Sequence, residues 1–307
     1  MTKRLKLFLV PLLLFIGTSG RLAAATTGLS GFDLGLFRPP ADRSGVLNVH
    51  GAGTLDQWQF SLGTLSDTSH NLLNAVNPSG QKVQVVSDYF VNDTQFAVGL
   101  TKFLEVGIDL PIVYFEQGQN FETLDTFETA SFGDIAFDIK LGALKGGKFL
   151  PGLALISVTT VPSGSTEKFT GYSSVTEEVR LAVDKKIGPV YLVANGGYRT
   201  LKRTQVVGLN IDDMAVYGAG FAWTLPFGHG KMDFLGEVDG STVLTHSDER
   251  TSPLEWLVGL RQRVLESMSF ELAGGSRING GFGGDWRFLA GIHFTSAPLE
   301  KRLPEEK

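Results

Sequence analysis

The chain of 307 residues has no cysteine and only 19% charged residues. The first absence excludes disulfides, thiolate metal sites, a cysteine nucleophile and a lipidated N-terminal cysteine. Positive charge is also scarce, with 27 Lys+Arg against 32 Asp+Glu, so the basic face that a nucleic-acid partner needs is missing. Proline is modest at 12, and the 38 glycines follow no collagen period, which points to strands and tight turns. Past residue 25 there is no run of the roughly 18 apolar residues that a membrane helix requires.

What is present begins with an address. Lys3, Arg4 and Lys6 precede the apolar run LFLVPLLLFIG, and small residues lead to Ala23-Ala24-Ala25. A charged start, a short apolar centre and an A-x-A site read as a secretory signal peptide over residues 1–25. Its removal takes away Lys3, Arg4, Lys6 and Arg21, so the net charge passes from -5 to -9. An exported chain without a later membrane helix is either soluble or a closed barrel, the other way to satisfy every backbone group in lipid.

Period-2 alternation recurs along the chain, and the connections between its runs decide in favour of the barrel. Trp286, Phe288, Ala290, Ile292 and Phe294 share one face of a strand, while Asp285, Arg287, Gly291 and His293 share the other. Leu254, Trp256, Val258, Leu260 and Val264 alternate in the same way with Glu255, Gly259, Arg261 and Arg263. About twelve such runs are legible: 57–66, 85–101, 104–116, 132–144, 151–161, 173–184, 190–200, 213–225, 231–243, 253–265, 268–277 and 285–295. Short connections (102–103, 145–150, 185–189, 226–230, 266–267) alternate with long polar ones (67–82, 117–131, 163–172, 201–212, 244–252, 278–284). That segregation is the pattern of an outer-membrane barrel, with turns in the periplasm and loops outside. Trp58, Tyr114, Tyr198, Trp223, Trp256, Trp286 and Phe294 fall near strand ends on the apolar face, where interfacial girdles belong.

The expected architecture is therefore all-β: an up-and-down antiparallel transmembrane barrel of about twelve strands over 57–295, followed by a periplasmic tail, 296–307. Residues 26–56 form an N-terminal extension, placed either in the lumen as a plug or in the periplasm.

Three stretches also resemble known barrels. GLFRPPADRSGVLNVHGAGTLDQWQFSLG (35–63), FGDIAFDIKLGALKGGKFLPGLALISVTTVPSG (132–164) and SPLEWLVGLRQRVLESMSFELAGGSRINGGFGGDWRFLAGIHF (252–294) resemble the β-barrel module that precedes OmpA-type domains in envelope proteins. Residues 132–164 are also similar to the outer-membrane barrels associated with the meta-pathway of phenol degradation, a family held to transport small hydrophobic compounds. OmpA-type relatives continue into a peptidoglycan-binding domain, whereas this sequence closes on SAPLEKRLPEEK, so no cell-wall anchor is expected.

Turning the charged faces inward places Glu105, Asp109, Asp134 and Asp138 on the third and fourth strands, and Arg261, Arg263, Arg277 and Arg287 on the tenth to twelfth. Across a twelve-stranded ring these would be opposed walls, able to orient polar solutes in a small pore. The plainer expectation is local pairing: Asp233, Glu237 and Asp239 with Arg261 and Arg263, and Glu271 with Arg287.

No metal-ligand spacing, G-x-S-x-G elbow or phosphate loop occurs, so no cofactor is expected. The expected function is a passive, porin-like channel for small solutes in the outer membrane, with lipid and the barrel assembly machinery as partners. A non-conducting structural barrel is the alternative. A rim hydrolase built from His246-Ser247-Asp248 and Asp212-Asp213 comes third.

Overall fold

A computed structural model describes residues 31–35, 37–227, 231–245 and 247–298. The signal-peptide reading of 1–25, His246 of the rim group and the tail beyond 298 lie outside the described residues.

The strands are β1 (Phe60–Val76), β2 (Lys82–Gly99), β3 (Leu104–Gln119), β4 (Thr126–Phe132), β5 (Ile135–Leu144), β6 (Gly152–Val161), β7 (Thr176–Ile187) and β8 (Val190–Thr200). They continue as β9 (Thr204–Val206), β10 (Leu209–Ile211), β11 (Met214–Thr224), β12 (Met232–Val243), β13 (Leu254–Leu265), β14 (Met268–Arg277) and β15 (Trp286–Thr295). Each barrel strand pairs antiparallel with the next, and β1 closes the ring against β15 from Ser61↔Thr295 to His70↔Trp286. β4 and β5 both pair with β3 and together make one stave, so the closed barrel has 12 strands. The ring is continuous through β3, β5 and β6, with β4 paired on one side to β3, and a closed ring is what lipid demands of a sheet.

Burial confirms the direction of the alternation. Leu181, Val183, Phe137, Ile139, Trp256, Val258, Leu260, Phe288 and Ile292 are exposed on the outside, while Glu178, Arg180, Lys140, Glu271 and Arg287 are buried inside. In a water-soluble protein this distribution would be inverted. The seven aromatics expected at strand ends all face outward.

Three connections differ from expectation, the first being 117–131, where β3 runs on to Gln119 and β4 pairs back on it from Thr126. The stretch 67–76 reads as a polar loop, yet β1 runs on to Val76 and pairs with β2 down to Lys82. Asn71 adopts a left-handed conformation (φ 61), and the register shifts between His70 and Leu73. This bulge turns both Leu72 and Leu73 to the buried side, opposite buried Val85 and Val86. The stretch 201–212 contains the small β9–β10 hairpin. With Phe169, Met214 and Phe282 these residues form an apolar cluster across the long-loop end of the barrel.

The fourth stave is interrupted at Gly133-Asp134. A Cβ on Gly133 would lie 2.7 Å from Pro111 Cγ, so glycine lets the proline pass there. The Asp134 carboxylate accepts N–H bonds from Gly164 and Tyr172, both 2.7 Å, and ties the 162–175 loop to the break.

Candidate functional site

Residues 31–56 run through the inside of the barrel. Phe32 sits at the long-loop end, edge-on to Phe169 and Phe282 with centroids 6.3 and 5.0 Å away. Leu55 sits at the short-turn end, its N–H bonded to Glu105 Oε2 at 2.8 Å. Between them the segment touches inward side chains of β6, β7, β8, β12 and β14, so it occupies the lumen. It reverses into β1 through a turn at Asp56–Gln59, where Gln59 N–H meets Asp56 O at 2.9 Å and Trp58 takes φ 58.

At its centre the segment folds on itself. Gly45 bridges to His50, and Val46 N–H donates to Val49 O at 3.1 Å. Gly45 has φ 149, and a Cβ there would sit 2.2 Å from Val49 O, so only glycine permits this loop. The tip points the N–H groups of Leu47, Asn48 and Val49 at one carboxylate, Glu237, at 2.9, 2.7 and 3.2 Å. Successive amides converging on an anion in this way form a nest. Val46, Leu47 and Val49 pack among Leu65, Val193, Leu235, Leu257 and Leu289, apolar residues on the otherwise polar inner face.

Wall chemistry matches plug chemistry along the length. Wall acceptors take plug N–H groups: Asn195 Oδ1 from His50 at 2.7 Å and Asp184 Oδ2 from Ala52 at 2.8 Å. Asn195 Nδ2 also donates to His50 O at 2.7 Å, so its amide pairs with the backbone as a strand would. Wall donors take plug carbonyls: Arg261 reaches Gly45 O at 3.2 Å and Val46 O, and Gln95 reaches Pro39 O at 3.3 Å. Charged side chains of the plug pair with the wall as well. Lys140 Nζ donates to Asp42 and Ser44, both at 2.6 Å, while Arg43 grips Glu271. Arg38 donates to Thr160 on the wall at 2.7 Å and to Asp33 within the plug at 2.9 Å.

The residues singled out from sequence divide accordingly. Glu105 holds Leu55 and lies 3.8 Å from Lys140. Asp109 is buried with Oδ1 unpartnered, and it lines a void of about 10 Å³ with Asp138, Arg38 and His50. Asp134 serves the loop described above. Arg261 bonds Glu271 at 3.2 Å as well as the plug, and Arg287 bridges Asp67 and Glu255. Arg263 pairs with Asp233 at 3.5 Å near the turn end, and Arg277 with Asp285 at 2.5 Å at the loop end. The acidic and basic walls therefore do not face each other across open water, because the plug lies between them. Of the local pairs expected, Arg263 with Asp233 forms, whereas Glu237 serves the plug amides and Arg287 uses Asp67 and Glu255 in place of Glu271.

Sequence reading passed over Asp184, Asn195, Lys140, Glu178 and the plug residues Arg38, Asp42 and Arg43. Glu178 is held by Arg180 and by Arg199, the latter at 2.5 Å. All four wall residues have the inward strand parity that picked out the others, so parity was the available signal.

The rim groups are engaged in loop structure. Asp213 accepts from Leu201 N–H at 2.8 Å and from Tyr198, Asp212 from Thr245 at 3.1 Å, and Asp248 caps a single 3-10 turn at Thr251. Among the described residues no group of three His, Asp or Glu is arranged to hold a metal ion.

A closed barrel with an apolar outside, a polar inside and an internal plug defines the class: an outer-membrane-type β-barrel. No protein-family model matches the chain, and no curated protein matches it in sequence. Solved structures do. An outer-membrane channel from Pseudomonas putida F1 superposes with TM-score 0.56 at 11% identity, covering 80% of this chain and 98% of that one. The NanC porin superposes with TM-score 0.52 at 7% identity, covering 76% and 98%. At such identities the likeness is one of fold.

Proposed function

We propose that this protein is an outer-membrane channel for small solutes, exported by its signal peptide, whose lumen is closed at rest by residues 31–56. The observation that carries the reading is the way the lumen is filled. Twelve strands enclose more space than wall side chains fill, and here a separate segment occupies it through hydrogen bonds that water can replace. The structural likeness to a channel and a porin supports the reading. The resemblance of 132–164 to phenol meta-pathway barrels supports small organic compounds as the solutes.

A second reading, a barrel that conducts nothing, is favoured by one fact: voids along the plug measure only about 20, 10 and 30 Å³, room for single waters. Planar-bilayer recording separates the two. Under the channel reading, full-length protein shows a low resting conductance with rare openings, and a variant lacking residues 31–55 is steadily open. A folded deletion variant that conducts nothing supports the structural barrel.

A further inference from the structure

Away from the small voids along the plug, a space of about 510 Å³ opens at the short-turn end beside the plug's exit. Lys102, Lys145, Lys148, Lys185 and Lys186 line it, with Asp184 the one carboxylate among its lining residues. In a chain of net charge -5, five lysines around one cavity is a strong local inversion of sign. Asp184 does little to neutralise them. Its Oδ2 already receives Ala52 N–H at 2.8 Å and Tyr191 O–H at 2.7 Å, which turns its charge toward the plug.

The basic rim is also shaped. Lys185 Nζ donates to the carbonyls of Gly147, Lys148 and Leu150 at 2.8, 3.0 and 3.0 Å, pinning the 145–151 turn over the cavity. That turn carries Lys145 and Lys148 on its own backbone, so two more ammonium groups are held at the same opening. The volume falls in the range of small-ligand pockets.

We propose that this cavity binds a phosphate-bearing anion. Several ammonium groups on flexible stems suit a compact multivalent anion, which each can meet as a point charge from a different side. Two sources share that chemistry. One is a free phosphorylated solute arriving from the turn side. The other is the headgroup of an anionic phospholipid, for which Phe149, Leu150 and Phe103, exposed on the adjoining turns, supply apolar contact with the bilayer. The inference does not depend on whether the barrel conducts.

The test uses full-length protein with two probes. Inorganic pyrophosphate is titrated calorimetrically into protein in a zwitterionic detergent at low salt. Separately, protein from nanodiscs containing phosphatidylglycerol and phosphatidylcholine is released for native mass spectrometry. The expected result is saturable pyrophosphate binding, preferential retention of phosphatidylglycerol, or both. Either signal falls at least tenfold in the Lys145→Gln/Lys148→Gln/Lys186→Gln variant and is unchanged in Lys82→Gln, on the far hairpin. Pyrophosphate binding alone assigns the site to a free anion, and lipid retention alone to a headgroup. Heat-shifted gel mobility verifies that the triple variant is folded; if it is not, Lys186→Gln alone replaces it, with an expected loss of about threefold. Absence of both signals, or signals that survive the lysine substitutions, overturns the proposal.

Discussion

At the residue scale the plug depends on a few wall groups that accept several bonds each. Glu237 is the clearest case, because one buried carboxylate satisfies three consecutive amides. Glu237→Ala leaves those amides unpaired in the lumen, and at roughly 1–3 kcal/mol for a lost buried partner the docking should weaken by about 3 kcal/mol or more. Limited proteolysis of the reconstituted variant checks this: cleavage within 44–51 should rise at least tenfold over wild type while the barrel stays intact.

At the element scale, the broken fourth stave and the bent first hairpin shape the long-loop end. Asp134 is the fastening between wall and loop, since it bonds the backbone on both sides of the 164–172 excursion. Asp134→Ala should free that loop at a cost of about 2 kcal/mol, seen as faster hydrogen exchange at Gly164 and Tyr172 with no change at β7 or β8. These elements also show what sequence can and cannot reveal. Strands such as β8 and β14 were legible to the residue, because lipid on one side and polar groups on the other enforce strict alternation. The upper part of β1 was not, because Ser66, Asp67, Thr68, Ser69 and His70 are polar on both faces. Such a stretch looks like a loop until it is seen paired with β2. The placement of 31–56 was open for a different reason. Many of its contacts are to backbone amides and carbonyls, which every sequence has, and Arg38, Asp42 and Arg43 lie outside any strand whose parity would point to their wall partners. One signal was nevertheless there: Leu65, Leu235, Leu257 and Leu289 lie on the charged parity of their strands, and leucines facing a lumen imply that something apolar faces them. They pack on the plug.

At the scale of the whole molecule, the barrel is a soluble fold turned outside in, with lipid as solvent for the apolar face and the plug as its core. A charge placed on the outer face should therefore be costly where the same change on a soluble sheet would be harmless. Leu181→Arg, in the outward row of β7, should lower the stability of the bilayer-inserted barrel by about 2–4 kcal/mol near the midplane, measured by denaturant titration in liposomes. The central claim is that residues 31–56 form a movable closure, and the lack of native cysteine makes it directly testable. A Cβ on Gly107 of β3 would lie 2.8 Å from Ala41 Cβ, close enough that a slight relaxation brings the pair to disulfide spacing. The decisive measurement is single-channel recording of Ala41→Cys/Gly107→Cys, oxidised and then reduced in the same bilayer. The account predicts a silent channel while the plug is tethered and openings that begin on reduction. Conductance that is the same before and after reduction would contradict it.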